Sequence, residues 1–308
     1  MIEFKPVRLE DKQIIERHTM PSGILNCDLA FANMYCWQAM YHSAWAVIDG
    51  FLVIRFHIGG GEKIGYMQPV GEGDFAGIIP ALREDAHAHG QRLRLIGLTD
   101  EGREMIRNMH AGLFAFESDR ALEDYVYNAE DLRNLTGRRY QPKRNHINRF
   151  MSEYPDFWYE NLTRDRFAEC MQLEREWRRA HEGHTSELCA EQRAMQRAFD
   201  HFEELEMLGG CIYVGDKLVA FTFGSAVNEH HVEKADTDYD GAFTIINKLF
   251  AEHLPERFTL INREEDLGID GLRQSKLSYH PAVIQHKFTA IHLHPDEIAC
   301  KELWTAAF

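Results

Sequence analysis

The stretch that decides the fold is GGCIYVGDKLVAFTFGSAV, residues 209–227. It contains two apolar strands joined by Gly215-Asp216, a dipeptide that favours the positive φ of a tight hairpin turn. The segments that follow are HHVEKADTDY (230–239), DGAFTIINKLFAEHL (240–254) and RFTLINRE (257–264). They predict a strand, a helix and a further strand. The helix carries apolar residues at helical spacing on one face, namely Phe243, Ile246, Leu249 and Phe250.

The same order of elements occurs in the first half of the chain. The corresponding segments are AWAVIDGFLVIRFHI (44–58), KIGYMQPVG (63–71), GEGDFAGIIPALREDAHAHG (71–90) and LRLIGLT (93–99). A repeat of this length indicates duplication of one α/β unit. We therefore predict an N-terminal domain at 1–128, a basic helical linker at 129–154 and a C-terminal domain at 155–308. The C-terminal domain is expected to end in a strand near 283–291.

Composition and charge exclude several classes of protein. The chain has 308 residues, 44% of them hydrophobic, and a formal net charge of −15. This acidity argues against non-specific wrapping of nucleic acid, and no apolar run approaches the ~20 residues that span a bilayer. The N-terminus carries no apolar signal segment, and the six cysteines include no CxxC pair. We therefore expect a cytoplasmic protein with reduced thiols and no integral membrane contact.

One segment departs from this acidic average. Residues 132–150 contain no carboxylate and six basic side chains. Four of these are candidates for contacting the phosphates of tRNA or of a nucleotide: Arg139, Lys143, Arg144 and Arg149. The alternative is a solvated helix whose basic side chains form salt bridges to carboxylates such as Glu130 and Asp131.

Four stretches carry a resemblance to a known family. They are LAFANMYCW (29–37), RRYQPKRNHINRF (138–150), HVEKADTDYDGAFTIIN (231–247) and INREEDLGIDGLRQSKLSYHP (261–281). On these stretches, which touch both halves, the chain resembles the DUF2156 family, whose relatives include the C-terminal domain of phosphatidylglycerol lysyltransferase. The resemblance implies a tandem GNAT-like fold of class α/β (α+β), with mixed central sheets flanked by helices. It also implies direct transfer of an aminoacyl group from aminoacyl-tRNA to an amine or hydroxyl, without a bound cofactor.

The turn before the helix at 240–254 is acidic. Asp236, Asp238 and Asp240 precede a single glycine, Gly241. In GNAT enzymes that use acetyl-CoA, this turn carries a basic or glutamine residue and spaced glycines, whose N–H groups bind the pyrophosphate. Repulsion on the order of 1 kcal/mol per close pair of charges disfavours acetyl-CoA as the donor here. The acids either complement the helix dipole or bind the ammonium group of an aminoacyl moiety.

Charged residues also follow the two strands that splay apart in a GNAT-like sheet, which predicts a polar cleft between them. Acyl transfer to an amine needs a group that takes the amine proton and a stabiliser of the developing oxyanion. We assign Glu233 or Glu264 as the base, and Tyr279 as the proton donor to the leaving group. The substrate-binding candidates are Lys234, Asp236, Asn262, Arg263, Asp266 and Lys276. The alternative is a salt-bridge network at the sheet edge.

Other functions stay open at this point. An acyl-CoA-dependent N-acyltransferase and a non-catalytic binding or regulatory protein are both compatible with the same fold. The acceptor is open among a small molecule, a peptide and a lipid. The histidine pairs, such as His87 with His89, have no cysteine or carboxylate at a recognised ligand spacing, so we predict no metal site.

Overall fold

The computed structural model describes residues 2–180, 186–225, 231–235 and 238–297, with side chains described except at 180, 186–188 and 231–235. These residues form two compact units. The second comprises Asp124–Ile284, and the first comprises the described residues up to Glu123 and from Gln285 onward.

The strands and helices follow one another in the order that the repeat predicts. The strands are β1 (Lys5–Pro6), β2 (Ala44–Ile48), β3 (Phe51–His57), β4 (Ile64–Met67), β5 (Val70–Gly71), β6 (Arg94–Leu98), β7 (Phe114–Ser118), β8 (Asp124–Asn128), β9 (Phe157–Asn161), β10 (Met207–Val214), β11 (Lys217–Ser225), β12 (His231–Ala235), β13 (Leu260–Asn262), β14 (Val283–Gln285) and β15 (Phe288–His292). The helices are α1 (Lys12–Thr19), α2 (Phe31–Cys36), α3 (Gln38–Tyr41), α4 (Phe75–Ala88), α5 (Asp100–Met109), α6 (Ala129–Asn134), α7 (Gln141–Glu153), α8 (Phe167–Ala180), α9 (Ser186–Asp200), α10 (Ala242–His253) and α11 (Asp270–Leu277).

The first unit contains one eight-stranded mixed sheet. Its strands lie in the order β1-β2-β3-β4-β6-β15-β7, and β5 pairs with β3. The strands β4 and β6 run parallel, with Tyr66 opposite Leu95. Leu82 of α4 and Ile106 of α5 are fully buried in the core of this unit. Parallel neighbouring strands need a crossover connection, and the helix α4 provides it between β4 and β6.

The second unit contains two sheets. One has the order β12-β11-β10-β9 and the other the order β13-β8-β14. The helix α10 buries Ile246 and Phe250 in a core that also contains Tyr125 of β8 and Ile261 of β13. On α9, Phe199 contacts Phe223 of β11.

Each unit contains one strand that comes from the opposite half of the sequence. In the first unit β15 lies between β6 and β7, and in the second unit β8 lies between β13 and β14. Five further strands of each unit correspond in order, with β2-β3-β4-β6-β7 matching β10-β11-β12-β13-β14. The two halves therefore exchange their last strands.

The hairpin turns predicted from sequence are confirmed. Val214 pairs with Lys217 and Ile48 pairs with Phe51, so two residues form each turn. At both turns the glycine has positive φ, +57° at Gly215. The predicted face of α10 is only partly correct, because Phe243 is exposed and the buried residues are Ala242, Ile245, Ile246, Asn247, Phe250 and Ala251.

The boundaries of the compact units, after residues 123 and 284, differ from the predicted domain boundaries after residues 128 and 154. Residues 129–154 form α6 and α7, and their apolar side chains belong to the core of the second unit: Leu132, Tyr140, Ile147 and Phe150. The last predicted strand, near 283–291, is two strands in different sheets, because β14 pairs in the second unit and β15 in the first. The segment that was predicted as a linker is therefore a pair of helices packed into the core of the second unit.

Two further expectations concern membrane contact and the thiols. In the part of the chain that the structure describes, no helix combines the length and the apolar character that a membrane crossing requires. The described cysteines are free thiols, and four of them are buried: Cys27, Cys36, Cys170 and Cys211.

Candidate active site in the second unit

The second unit has a gap where the first unit has a continuous sheet. The strands β4 and β6 of the first unit are hydrogen-bonded neighbours, whereas their counterparts β12 and β13 belong to separate sheets. The loop that follows β13, residues 263–266, carries three of the predicted site residues, Arg263, Glu264 and Asp266. The gap and this loop define the candidate site.

Asn262 ends β13 and shapes the loop that follows. Its side-chain amide donates a hydrogen bond to Asp124 Oδ2 at 3.0 Å, and its Oδ1 accepts one from the Glu264 backbone N–H at 2.7 Å. Glu264 has a φ of +55°, a left-handed conformation that costs energy in a residue with a side chain. The buried Asn262 therefore stabilises a turn that holds the half-buried Glu264.

Asp266 is fully buried and anchors the same loop. Its carboxylate accepts hydrogen bonds from Tyr125 Oη at 2.6 Å, from Arg273 Nε and Nη2 at 2.8 and 2.9 Å, and from the Gly268 N–H at 2.9 Å. The Arg273 guanidinium is the main cause that holds the pKa of this carboxyl well below its usual range. Because its oxygens accept from four donors of the protein, Asp266 positions the loop.

We expect Asp266→Asn to destabilise the second unit by about 2 kcal/mol at pH 7, since charge-assisted hydrogen bonds to Arg273 are lost. The carboxyl pKa is depressed in the folded state, so its contribution is present above the unfolded pKa of about 3.9 and is lost as the pH falls through the folded pKa. Urea unfolding between neutral and acid pH should show the two proteins converging in stability at low pH. A constant difference at every pH would contradict the assignment.

Lys276 also supports the loop. Its buried ammonium group donates hydrogen bonds to the backbone carbonyls of Arg263 and Glu265, and it lies 5.7 Å from the centre of the Tyr125 ring. By bonding to two backbone carbonyls of the loop, the ammonium group holds the loop in one conformation. These contacts make Lys276 a positioning residue of the loop, and its predicted part in substrate binding stays a prediction.

Two cations converge on the ring of Tyr279. Lys143 Nζ of α7 lies 3.8 Å from the ring centre, and Arg263 Cζ lies 5.0 Å from it. Arg263 also approaches the ring of Tyr127, whose hydroxyl donates to the Lys276 carbonyl oxygen at 2.9 Å. Cations stabilised over aromatic faces form a positive locus that favours an anionic group of a substrate. Tyr279, a predicted catalytic residue, lies at its centre.

The other basic candidates have partners within the protein. Arg144 donates to the Leu135 and Gly137 carbonyls and to Gln141. Arg139 pairs with Asp131 at 3.2 Å. The pair of Arg139 with Asp131 is a contact of the salt-bridge alternative considered from the sequence.

Arg149 links the basic segment to the acidic turn. Its guanidinium lies 2.9 Å from Glu153 Oε1 and 2.6 Å from Asp240 Oδ2. Both carboxylates raise the pKa of Arg149, with the Glu153 hydrogen bond as the largest cause. Of the four basic candidates, Lys143 is the one that the structure brings to Tyr279.

The remaining candidates lie on or beyond β12. Glu233 and Lys234 are in this strand, opposite Thr222 and Phe221 of β11. Asp236 lies outside the described residues. Three of the residues that build the site were missing from the sequence-based assignment: Asp124, Tyr125 and Arg273. The alternation Asp-Tyr-Val-Tyr at 124–127 is typical of a strand, but it does not indicate that this strand pairs with β13.

Comparisons with known proteins agree with this architecture. A family model described as phosphatidylglycerol lysyltransferase, C-terminal, matches residues 22–291. A conserved protein of unknown function from Bacteroides thetaiotaomicron has a solved structure with 43% identity and a TM-score of 0.91, covering 95% of this chain and 100% of that one. The structure of L-PGS from Bacillus licheniformis has 14% identity and a TM-score of 0.62, covering 96% of each chain.

An uncharacterised protein of Mycoplasmoides gallisepticum is 26% identical over 180 residues. This match covers 54% of each chain, so it spans about half the length of that relative. The structural neighbours confirm the predicted tandem GNAT-like fold of mixed sheets and helices.

Proposed function

Because the chain belongs to the family of the phosphatidylglycerol lysyltransferase C-terminal domain, as its sequence motifs predicted, we propose that it is an aminoacyltransferase. The donor is an aminoacyl-tRNA and the acceptor carries an amine or a hydroxyl. The observation that carries this proposal is the convergence of Lys143 and Arg263 on Tyr279 beside the gap between β12 and β13. The locus is cationic and suits the phosphates at the end of a tRNA.

The proposed reaction is a direct transfer. The acceptor nitrogen or oxygen attacks the carbonyl carbon of the aminoacyl ester, and the bond from that carbon to the ribose oxygen breaks. Glu264, or Glu233 on β12, takes the proton of the acceptor, and Tyr279 gives a proton to the leaving ribose oxygen. Lys143 and Arg263 hold the nucleotide phosphates, which fixes the ester beside the acceptor.

The test is a transfer assay with purified protein. A panel of tRNAs charged with labelled amino acids is mixed in turn with lipid vesicles, with peptides and with small amines, and the label is followed from tRNA into each acceptor fraction. Transfer to one class identifies the acceptor. Absence of transfer from every charged tRNA, together with calorimetric binding of an acyl-CoA, would replace the proposal with an acyl-CoA-dependent acyltransferase.

A further inference from the structure

The exposed residue His280 directly follows Tyr279, the predicted proton donor. Its backbone is left-handed, with a φ of +54°, a conformation that costs energy in a residue with a side chain. Its N–H donates to the Leu277 carbonyl oxygen at 2.9 Å, and the residue after it is Pro281, whose ring fixes its own φ. The backbone around His280 is therefore held in one conformation, with an exposed imidazole next to the candidate site.

The imidazole of His280 lies against the ring of Tyr140. The two ring centres are 5.4 Å apart, and the ring planes are nearly perpendicular, at 81°. Tyr140 is fully buried, and its hydroxyl donates to the backbone carbonyl oxygen of Tyr279 at 3.1 Å. The buried tyrosine thus connects the segment at 279–280 to the residues that immediately precede the basic helix α7.

Arg139 reaches the same ring. Its guanidinium carbon lies 4.9 Å from the centre of the Tyr140 ring. The imidazole of His280 and this guanidinium are therefore at most about 10 Å apart, the sum of their distances from one ring centre. Both side chains are exposed while the ring that they share is buried, so they cover Tyr140 on its solvent side. Arg139 and His280 are called the outer pair below.

The outer pair lies next to the two cations of the candidate site. Lys143 comes four residues after Arg139, about one helical turn, and it contacts the ring of Tyr279, which directly precedes His280. With Arg263, Lys143 forms an inner pair on the Tyr279 ring. A nucleic-acid strand carries one phosphate per nucleotide, so a strand that crosses both pairs presents one phosphate to each of them.

We infer that Arg139 and His280 bind a second phosphate of the single-stranded end of the donor tRNA, next to the phosphate held on Tyr279. An imidazole N–H and a guanidinium both donate hydrogen bonds that phosphate oxygens accept. Residues 132–150 contain six basic side chains and no carboxylate, which complements a polyanion. Asp131, 3.2 Å from Arg139, is its counter-ion when no donor is bound. This inference rests on the proposed function and extends its donor contact from one phosphate to two.

Two nucleotides that differ in their number of phosphates test the second contact. Adenosine 5′-phosphate carries one phosphate, and the 5′-phosphorylated dinucleotide of adenosine carries two. Calorimetry on the full chain should show about tenfold weaker binding of the dinucleotide after His280→Ala, with binding of the mononucleotide within about twofold of the wild-type value. Lys143→Met should weaken the binding of both ligands, because it acts on the first phosphate. Equal losses for both ligands after His280→Ala, or no loss, would contradict the inference.

The salt bridge to Asp131 provides a test with the opposite sign. Asp131→Asn removes an anion from beside the second phosphate, so the dinucleotide should bind about threefold more tightly. Arg139→Gln should weaken its binding about tenfold. A salt bridge that only supports the fold predicts no gain after Asp131→Asn. These two variants keep the test valid if His280→Ala does not fold.

Arg138→Gln is the matched control for Arg139→Gln. It removes the same charge from the neighbouring exposed residue of the same segment, and dinucleotide affinity should stay within about twofold of the wild-type value. An equal loss in the two variants would mean that the summed charge of the segment binds the ligand and that the outer pair has no special role.

Failure of the second contact and failure of the proposed function give different results. Wild-type protein that binds neither nucleotide at millimolar concentration, or that binds the dinucleotide no more tightly than the mononucleotide, overturns the second contact even if transfer from aminoacyl-tRNA proceeds. Dinucleotide binding that depends on Arg139 and His280, in a protein that transfers no aminoacyl group, supports the second contact and removes the proposed reaction.

Discussion

Replacement of Ala290 by aspartate should unfold the first unit while the second unit stays folded. Ala290 is fully buried in β15, between Leu95 of β6 and Phe116 of β7. An aspartate there places an uncompensated charge in the middle of the sheet, which costs about 4 kcal/mol. Since β15 comes from the end of the described chain, the loss of structure should appear in strands that are far from residue 290 in the sequence.

Hydrogen–deuterium exchange measures this outcome by region. We expect faster exchange in β2, β3, β6 and β7, and unchanged protection in β8 to β11. Val283→Asp is the matched control, because Val283 is 40% exposed on β14, an outer strand of its sheet, and should shift stability by less than about 1 kcal/mol. Loss of protection in the second unit after Ala290→Asp would show that the strand exchange has been assigned incorrectly.

Replacement of Lys143 by methionine should lower kcat/KM for aminoacyl transfer by about 10- to 100-fold, the effect of losing one charge-assisted contact with a phosphate. Methionine is an uncharged, flexible side chain of similar length that can still reach the Tyr279 ring, so the folded state should persist. Initial rates over a range of aminoacyl-tRNA concentrations measure the loss.

Arg149→Met provides the comparison within the same helix. It removes the same charge, but from a side chain that pairs with Glu153 and Asp240 and is largely exposed. Its kcat/KM should stay within about threefold of the wild-type value, as expected for a surface ion pair. Equal losses in the two variants would mean that the basic segment acts through its summed charge and that the position of Lys143 at Tyr279 has no special role.

The candidate site could be predicted only in part. The stretch at 261–281 identified the loop after β13, but Asp266 and Lys276 are held by groups of the protein itself. A charged residue in a sequence does not reveal whether its partner is a substrate or another side chain, because that partner comes from a distant element. Tyr125 and Asp124 are more than a hundred residues away from the loop that they hold.

Local patterns in the sequence determined the duplicated order of strands and helices, the two hairpin turns and the family. Alternation, helical spacing and turn dipeptides act between near neighbours, so they can be read without knowledge of the partners. Only the tertiary structure decided that β8 and β15 exchange units, that residues 129–154 pack into a core, and that Lys143 contacts Tyr279 while Arg149 does not. These outcomes depend on contacts between distant segments, where several pairings satisfy the same local pattern and packing selects one of them.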